Sequence, residues 1–292
     1  MKFAIYGKAI ADVNIPYLNR LKDKLIKENI QCCVYKPFVN HLINKHIDFP
    51  IENSFEGYKD LPNDTSCMIS IGGDGTFLDT IALIRDSNIP VVGINAGNLG
   101  FLSYISKDEI EDAIDEIING NYTLEKRSLL KLETENKIFG EYNYALNDLT
   151  IHKHSSSSMI TTQVYLNDEF LNSYWSDGLI IATPTGSTAY SLSCGGPIIT
   201  PDSGNFIINP VAPHNLNVRP IVIPDTMTIT IKVKGRNEKY LVSLDSRYET
   251  VDLETKLIIT KVDFQINLLR LNNQNFLTTL RNKLMWGLDK RN

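Results

Sequence analysis

Residues 70–78 read SIGGDGTFL. An apolar run, CMISI (67–71), leads in, and a helix-like run, TFLDTIALIR (76–85), leads out. Strand, glycine turn and helix form the repeating unit of open α/β sheets, which place ligands at the carboxyl ends of their strands. Backbone N–H groups in such a turn, with the following helix N-terminus, hold phosphate oxygens. Gly72, Gly73 and Gly75 lack the β-carbons that would block that approach. The loop is not a Walker A loop, because no lysine follows, and it lacks the third glycine of the dinucleotide fingerprint. What it adds is an acid, Asp74. There an acid can take a proton from a hydroxyl attacking a phosphoryl group, or help hold Mg²⁺. It can equally cap the helix starting at Thr76. At this point both readings stand.

Outward from this loop, the first third of the chain alternates strand-like and helix-like runs. KFAIYG is a first strand, QCCVYK a second, CMISI a third and PVVGIN a fourth, the last leaving through AGNLGF (96–101). NIPYLNRLKDKLIKEN sets Leu18, Leu21, Leu25 and Ile26 at helical spacing. SKDEIEDAIDEIINGN reads as a helix with Ser106 as N-cap, Asp108 and Glu109 in its first turn and Gly120 at its end. The expected fold is therefore an N-terminal α/β domain, residues 1–120, with a mostly parallel sheet.

From residue 121 the texture changes. KLETENKIFGEYNYALNDLTIH and MITTQVYLNDEFLNSYW read as paired strands, the second pair turning at Asn167-Asp168. TMTITIKVKG, KYLVSLDSR, KLIITKV and FQINLLRL follow, each alternating or β-branched. A β-rich C-terminal domain is expected over 121–270. The tail, 271–292, contains NFLTTLRNKLMWGL, whose helical spacing implies a C-terminal helix packing back on the first domain. HSSSS (154–158) suits a mobile loop, and no internal repeat is evident.

The whole chain of 292 residues, with 42% hydrophobic and 22% charged residues, is ordinary globular material. A formal net charge of −5 argues against nucleic acid as the main partner. No apolar run is long enough to cross a bilayer, and the N-terminus does not read as a signal peptide. Cys32, Cys33, Cys67 and Cys194 form no C-x-x-C pair and no zinc pattern. Reduced thiols in a cytoplasmic protein are expected.

Two more stretches carry chemistry. In DGLIIATPTGSTAYSLSCGGPII (177–199), a strand runs into a proline-glycine turn and a run of small hydroxyl residues. These supply donors with little bulk for a ribose or amide, and Tyr190 could stack on a ring. A tight strand–helix connection is the competing reading. In ALNDLTI (145–151), Asn147 and Asp148 interrupt an apolar strand. Buried, they need partners, and as adjacent strand residues they face one ligand only near a strand end or bulge.

Together, GGDGTFL (72–78), GINAGNLGF (93–101), LND (146–148), SDGLIIATPTGSTAYSLSCGGPII (176–199) and NPVAPHNLNVRPIV (209–222) resemble the NAD kinase family. The resemblance implies transfer of the ATP γ-phosphoryl group to the 2′-hydroxyl of the NAD adenosine ribose, forming NADP. It implies Mg²⁺ or another divalent cation accompanying ATP, no dedicated metal ligand in the chain, and a homodimer or homotetramer. It also implies NAD lying between an α/β and a β-rich domain. By matching position, Asp74 resembles the proton acceptor, with Gly75 bordering the substrate and Phe101 near the adenine. Asn147 and Asp148 match a ribose-binding pair, and Asp177 an acid near the nicotinamide end. Thr188, Ala189, Tyr190, Ser191, Leu192 and Ser193 fall in the segment lining the dinucleotide, and Ala212 marks a further contact. Many members have glutamate at the position of Asp148, so the shorter arm implies a shifted ribose or an intervening water. Trp175 and Arg247 fall where members vary. His152 and His154 read as loop histidines, and His214 has no evident base partner. The alternatives are a GGDG-type lipid or sugar kinase, which would not need the hydroxyl-rich segment, and a non-catalytic dinucleotide-binding sensor.

Overall fold

The computed structural model describes the chain except residues 98–99, 155–157, 273 and 286–292. Parts of AGNLGF, of HSSSS and of the expected terminal helix therefore lie outside the described residues. The chain forms two compact units, residues 1–126 with 266–292, and residues 127–265.

The first unit begins with β1 (Lys2–Gly7), α1 (Ile15–Lys27), β2 (Gln31–Tyr35), α2 (Lys36–Asn44) and β3 (Ile51–Phe55). Then come β4 (Cys67–Ile71), α3 (Asp74–Ile84), β5 (Val91–Asn95), the two-residue β6 (Ile105–Ser106), α4 (Ile110–Ile118) and β7 (Tyr122–Arg127). Every residue of β4 and β5 is buried, as expected of strands covered on both faces. Sequence reading missed α2 and β3; all but the last residue of β3 are exposed, so it lacks the apolar alternation that marks a strand. In α1, Leu18, Leu21 and Leu25 are buried as expected, but Ile26 is half exposed and Lys24 buried in its place. At 100° per residue Lys24 lies 60° from Leu21, whereas Ile26 lies 140° away. The Lys24 stem packs inward while its ammonium reaches Asp115 at 2.5 Å and Glu28 at 2.8 Å. Ahead of α4 the chain makes one 3₁₀ turn, in which the Ser106 N–H donates to Glu109 Oε2 at 3.1 Å.

The second unit contains β8 (Leu130–Glu133), β9 (Tyr144–Ala145), β10 (Asp148–Lys153), β11 (Ile160–Leu166), β12 (Glu169–Ser176) and β13 (Gly178–Ala182). It continues through the single-turn α5 (Tyr190–Ser193), β14 (Asn205–Val211), β15 (Ile221–Pro224), β16 (Ile229–Lys234), β17 (Lys239–Leu244), β18 (Arg247–Asp252) and β19 (Leu257–Lys261). Two six-stranded sheets result, ordered β15-β14-β13-β10-β17-β18 and β12-β11-β16-β19-β8-β9, with antiparallel neighbours. Their inner faces share one core, to which β10 gives Leu149 and Ile151, β17 Tyr240, Val242 and Leu244, and β16 Ile229, Ile231 and Val233. Asn167 and Asp168 take φ of 49° and 68°, the tight-turn geometry expected between β11 and β12.

The chain then returns to the first unit as β20 (Ile266–Leu271) and α6 (Phe276–Leu284). The first sheet runs β3-β2-β1-β4-β5-β20-β7, with β6 also on β5. FQINLLRL thus pairs parallel with β5 instead of joining the antiparallel strands. Its composition is equally suited to either sheet; the two compact units divide at 126 and 265. Helix α6 belongs to this unit, as the fold class expected, with Thr278 and Asn282 beside Tyr104, Ser106 and Glu109. Strand order reverses between β1 and β4, so the turn after β4 opens at the topological switch point of the sheet.

Candidate functional site: a caged aspartate and an asparagine–aspartate pair

Helix α3 begins at Asp74 itself, with Gly73 as its N-cap and no side-chain cap bond. Asp74 is therefore not the helix cap. Its carboxylate reaches instead to the loop after β5: Oδ2 accepts the Phe101 N–H at 2.9 Å, and Oδ1 accepts those of Leu102 at 3.1 Å and Ser103 at 2.9 Å. A carboxylate has about four acceptor positions, so roughly one is left. A β-carbon on Gly100 would lie 1.9 Å from Asp74 Oδ1, which makes that glycine the condition for the cage. The loop is braced from behind. Buried Asn95 donates from Nδ2 to the Ser103 carbonyl at 3.2 Å, and buried Arg270 on β20 donates to the Phe101 carbonyl at 3.2 Å and to Glu125 Oε2 at 3.2 Å.

The three glycines of the loop differ. A β-carbon on Gly72 would lie 2.4 Å from Thr76 Oγ1, so this glycine makes room for the protein's own threonine. Gly73 and Gly75 meet nothing within 4 Å, and both face open space.

In the second unit, Leu146 and Asn147 fall between β9 and β10, outside both ladders. The Asp245 carboxylate takes their N–H groups, Leu146 at 2.9 Å and Asn147 at 2.8 Å, together with that of Asp148 at 3.2 Å. Thr183 Oγ1 donates to the Leu146 carbonyl at 2.5 Å, and the Thr183 N–H to the Asn147 carbonyl at 2.9 Å. Gly186 presses on the same segment: a β-carbon there would lie 2.0 Å from the Asn147 carbonyl oxygen. Asp148 is 6% exposed and accepts from Thr150 Oγ1 at 3.1 Å. Burial first, and then the Asp245 charge, push its carboxyl up to about 7 from the ordinary carboxylate range. Burial likewise raises Asp245, against the three N–H bonds that favour its charged form.

Around these lie the other expected residues. Tyr190 is 40% exposed, and its hydroxyl is 3.3 Å from His152 Nε2. His152 is not a loop residue but part of β10, hydrogen-bonded to the Asp177 backbone, and burial lowers its pKa. A neutral ring donating there leaves Nε2 to accept from the tyrosine. Asp177 pairs with Lys153 at 2.6 Å. Ser193 is exposed, while Thr188, Ala189 and Leu192 are half-buried. Ser191 turns inward: it is buried, and Asn209 Nδ2 donates to its carbonyl at 2.9 Å and its hydroxyl at 3.2 Å. Ala212 is exposed at φ 45° beside Val211, which accepts the Asp177 N–H at 3.0 Å. His214 lies tilted against Trp175, with ring centroids 4.3 Å apart. Sequence reading missed Asp245; its signal was an acid in a strand-to-strand turn, SLDSR, where polar residues usually just meet solvent.

Sequence models of the ATP-NAD kinase N-terminal domain and of the ATP-NAD kinase C-terminal domain match residues 5–122 and 146–271. The chain belongs to the NAD kinase family. It is 49% identical to the NAD kinase of Cytophaga hutchinsonii, 48% to that of Flavobacterium psychrophilum and 44% to one from Bacteroides fragilis, each over the full length of both chains. The fold is similar to that of yeast NADH kinase complexed with NADH, at a TM-score of 0.86 and 22% identity over 99% of this chain and 88% of that one. It is also similar to an NAD kinase from Archaeoglobus fulgidus in complex with ATP, at 0.75 and 22% over 98% and 99%. This member of the NAD kinase family is thus a phosphotransferase. No helix among the described residues is long and apolar enough to cross a membrane. Nor do three His, Cys, Asp or Glu side chains converge among the described residues.

Proposed function

We propose that the chain transfers the γ-phosphoryl group of ATP to the 2′-hydroxyl of the NAD adenosine ribose, with Asp74 accepting the proton. The hydroxyl oxygen bonds to the γ-phosphorus, the bond from γ-phosphorus to the bridging oxygen breaks, ADP departs, and the hydroxyl proton passes to the Asp74 carboxylate. Phosphoryl transfer is mainly positioning and electrostatics, so a held acceptor suffices. The observation that carries this reading is the cage: three consecutive backbone N–H groups fix Asp74 and leave one acceptor position. The open faces of Gly73 and Gly75 beside it support a phosphate-binding role for those two glycines.

In the second unit, Asn147 and Asp148 hold the ribose and Tyr190 stacks on a ring, with Asp177, Thr188, Ala189, Ser193 and Ala212 bordering the dinucleotide. The test is direct: Mg·ATP and NAD are mixed with the protein, and NADP is read with an NADP-specific dehydrogenase. Binding without product would instead mark a sensor. The protein works in the cytoplasm, as its four free cysteines support, and assembles as a homodimer or homotetramer. Light scattering should return two or four times the 33.0 kDa chain mass.

A further inference from the structure

We propose that the β17–β18 turn, Asp245–Arg247, is a positioning clamp that sets the Asn147–Asp148 pair for the dinucleotide. This rests on the proposed role of that pair. Two neighbouring residues of a strand point to opposite faces, so both serve one ligand only where the ladder is interrupted. Here it is interrupted at Leu146–Asn147, which removes these residues from the sheet and leaves their backbone groups in need of partners.

The turn supplies them with opposite charges. Asp245 accepts the N–H groups of Leu146, Asn147 and Asp148, and its own N–H donates to the Asp148 carbonyl at 3.0 Å. Arg247 donates to the carbonyls of Tyr142 and Tyr144, the latter at 2.5 Å, and its guanidinium lies 3.7 Å from the centre of the Tyr142 ring. An anion thus holds three donors and a cation two acceptors of one segment, 142–148. The same turn adds, after burial, to the electrostatics of Asp148. Asp245, itself acted on by Arg247, approaches it from the turn, Thr150 from its own strand, and Tyr190 and Cys194 from α5 and its end.

The test uses the full-length protein with Asp245→Asn. An amide keeps one acceptor oxygen but turns N–H donors towards donors, so the segment shifts. The KM for NAD should rise about tenfold or more while the KM for ATP stays within twofold. In the pH profile of kcat/KM for NAD, the Asp148 inflection should move to lower pH, because a neighbouring negative charge is gone. Arg247→Lys serves where that variant folds poorly: it keeps a charge but loses the planar fork, so the KM for NAD should rise with the inflection in place. A lower melting temperature with an unchanged KM for NAD and an unmoved inflection would make the turn a structural brace only and overturn the proposal. Asn147→Ala and Asp148→Asn separate the two ideas. If both leave the KM for NAD unchanged, the role of the pair fails; if they raise it and the turn variants do not, only the clamp fails.

Discussion

At the scale of single residues, the cage around Asp74 changes what a substitution there means. Asp74→Asn removes the proton acceptor, for which a loss of about 10²–10⁴ in turnover is expected. It also turns an amide N–H towards one of three backbone donors, so faster amide exchange at residues 101–103 should accompany the loss. Turnover close to that of the unaltered protein would exclude the base role. Gly100→Ala leaves every polar group in place and forces a methyl into the space of Asp74 Oδ1. Its expected effect is a fall in kcat of at least tenfold with circular dichroism unchanged, since only the carboxylate or the loop has to move. The two substitutions separate the chemistry of the acid from its placement.

At the scale of elements, the strand that returns from the second unit matters most. β20 is read from sequence as one more apolar strand, yet it carries Arg270, a 2%-exposed guanidinium that holds the Phe101 carbonyl and Glu125 and lies 4.5 Å from the centre of the Tyr104 ring. Arg270→Met strips a buried charge from its partners, a change that costs about 3–5 kcal/mol in comparable sites. A lower melting temperature and a lower kcat should appear together, because the Asp74 loop loses its brace. Arg270→Met combined with Glu125→Gln should recover part of the stability but not the turnover.

At the scale of the whole molecule, Asp148 ties stability to pH. Its carboxyl is pushed up to about 7 in the folded chain. From about pH 4 to 7 the folded state therefore keeps a proton that the unfolded chain gives up. The stabilisation is complete below that window and is lost as pH rises through the folded value. At about 1.4 kcal/mol per pH unit of separation, the effect amounts to a few kcal/mol at most. Melting temperature should fall between pH 5 and 8, and less so in Asp148→Asn, which should be the more stable protein at pH 8. An equal slope in both would show that Asp148 titrates as an ordinary carboxylate.

Local pattern was enough for the parallel strands β1, β2, β4 and β5, the leucine face of α1, the Asn167-Asp168 hairpin, and the motifs GGDG, LND and TPTGSTAY. Alternation, helical spacing and glycine placement are properties of neighbours along the chain, and they survive without a partner. Partnership across the fold is what only the tertiary structure decided: β20 in the parallel sheet, Gly72 serving Thr76, Ser191 turned inward, and Asp74 and Asp245 each gathering three N–H groups from segments 27 and about 100 residues away. A carboxylate in a turn looks the same in sequence whether it meets water or a row of backbone donors. The difference lies in desolvation, which exists only once the chain has closed around it.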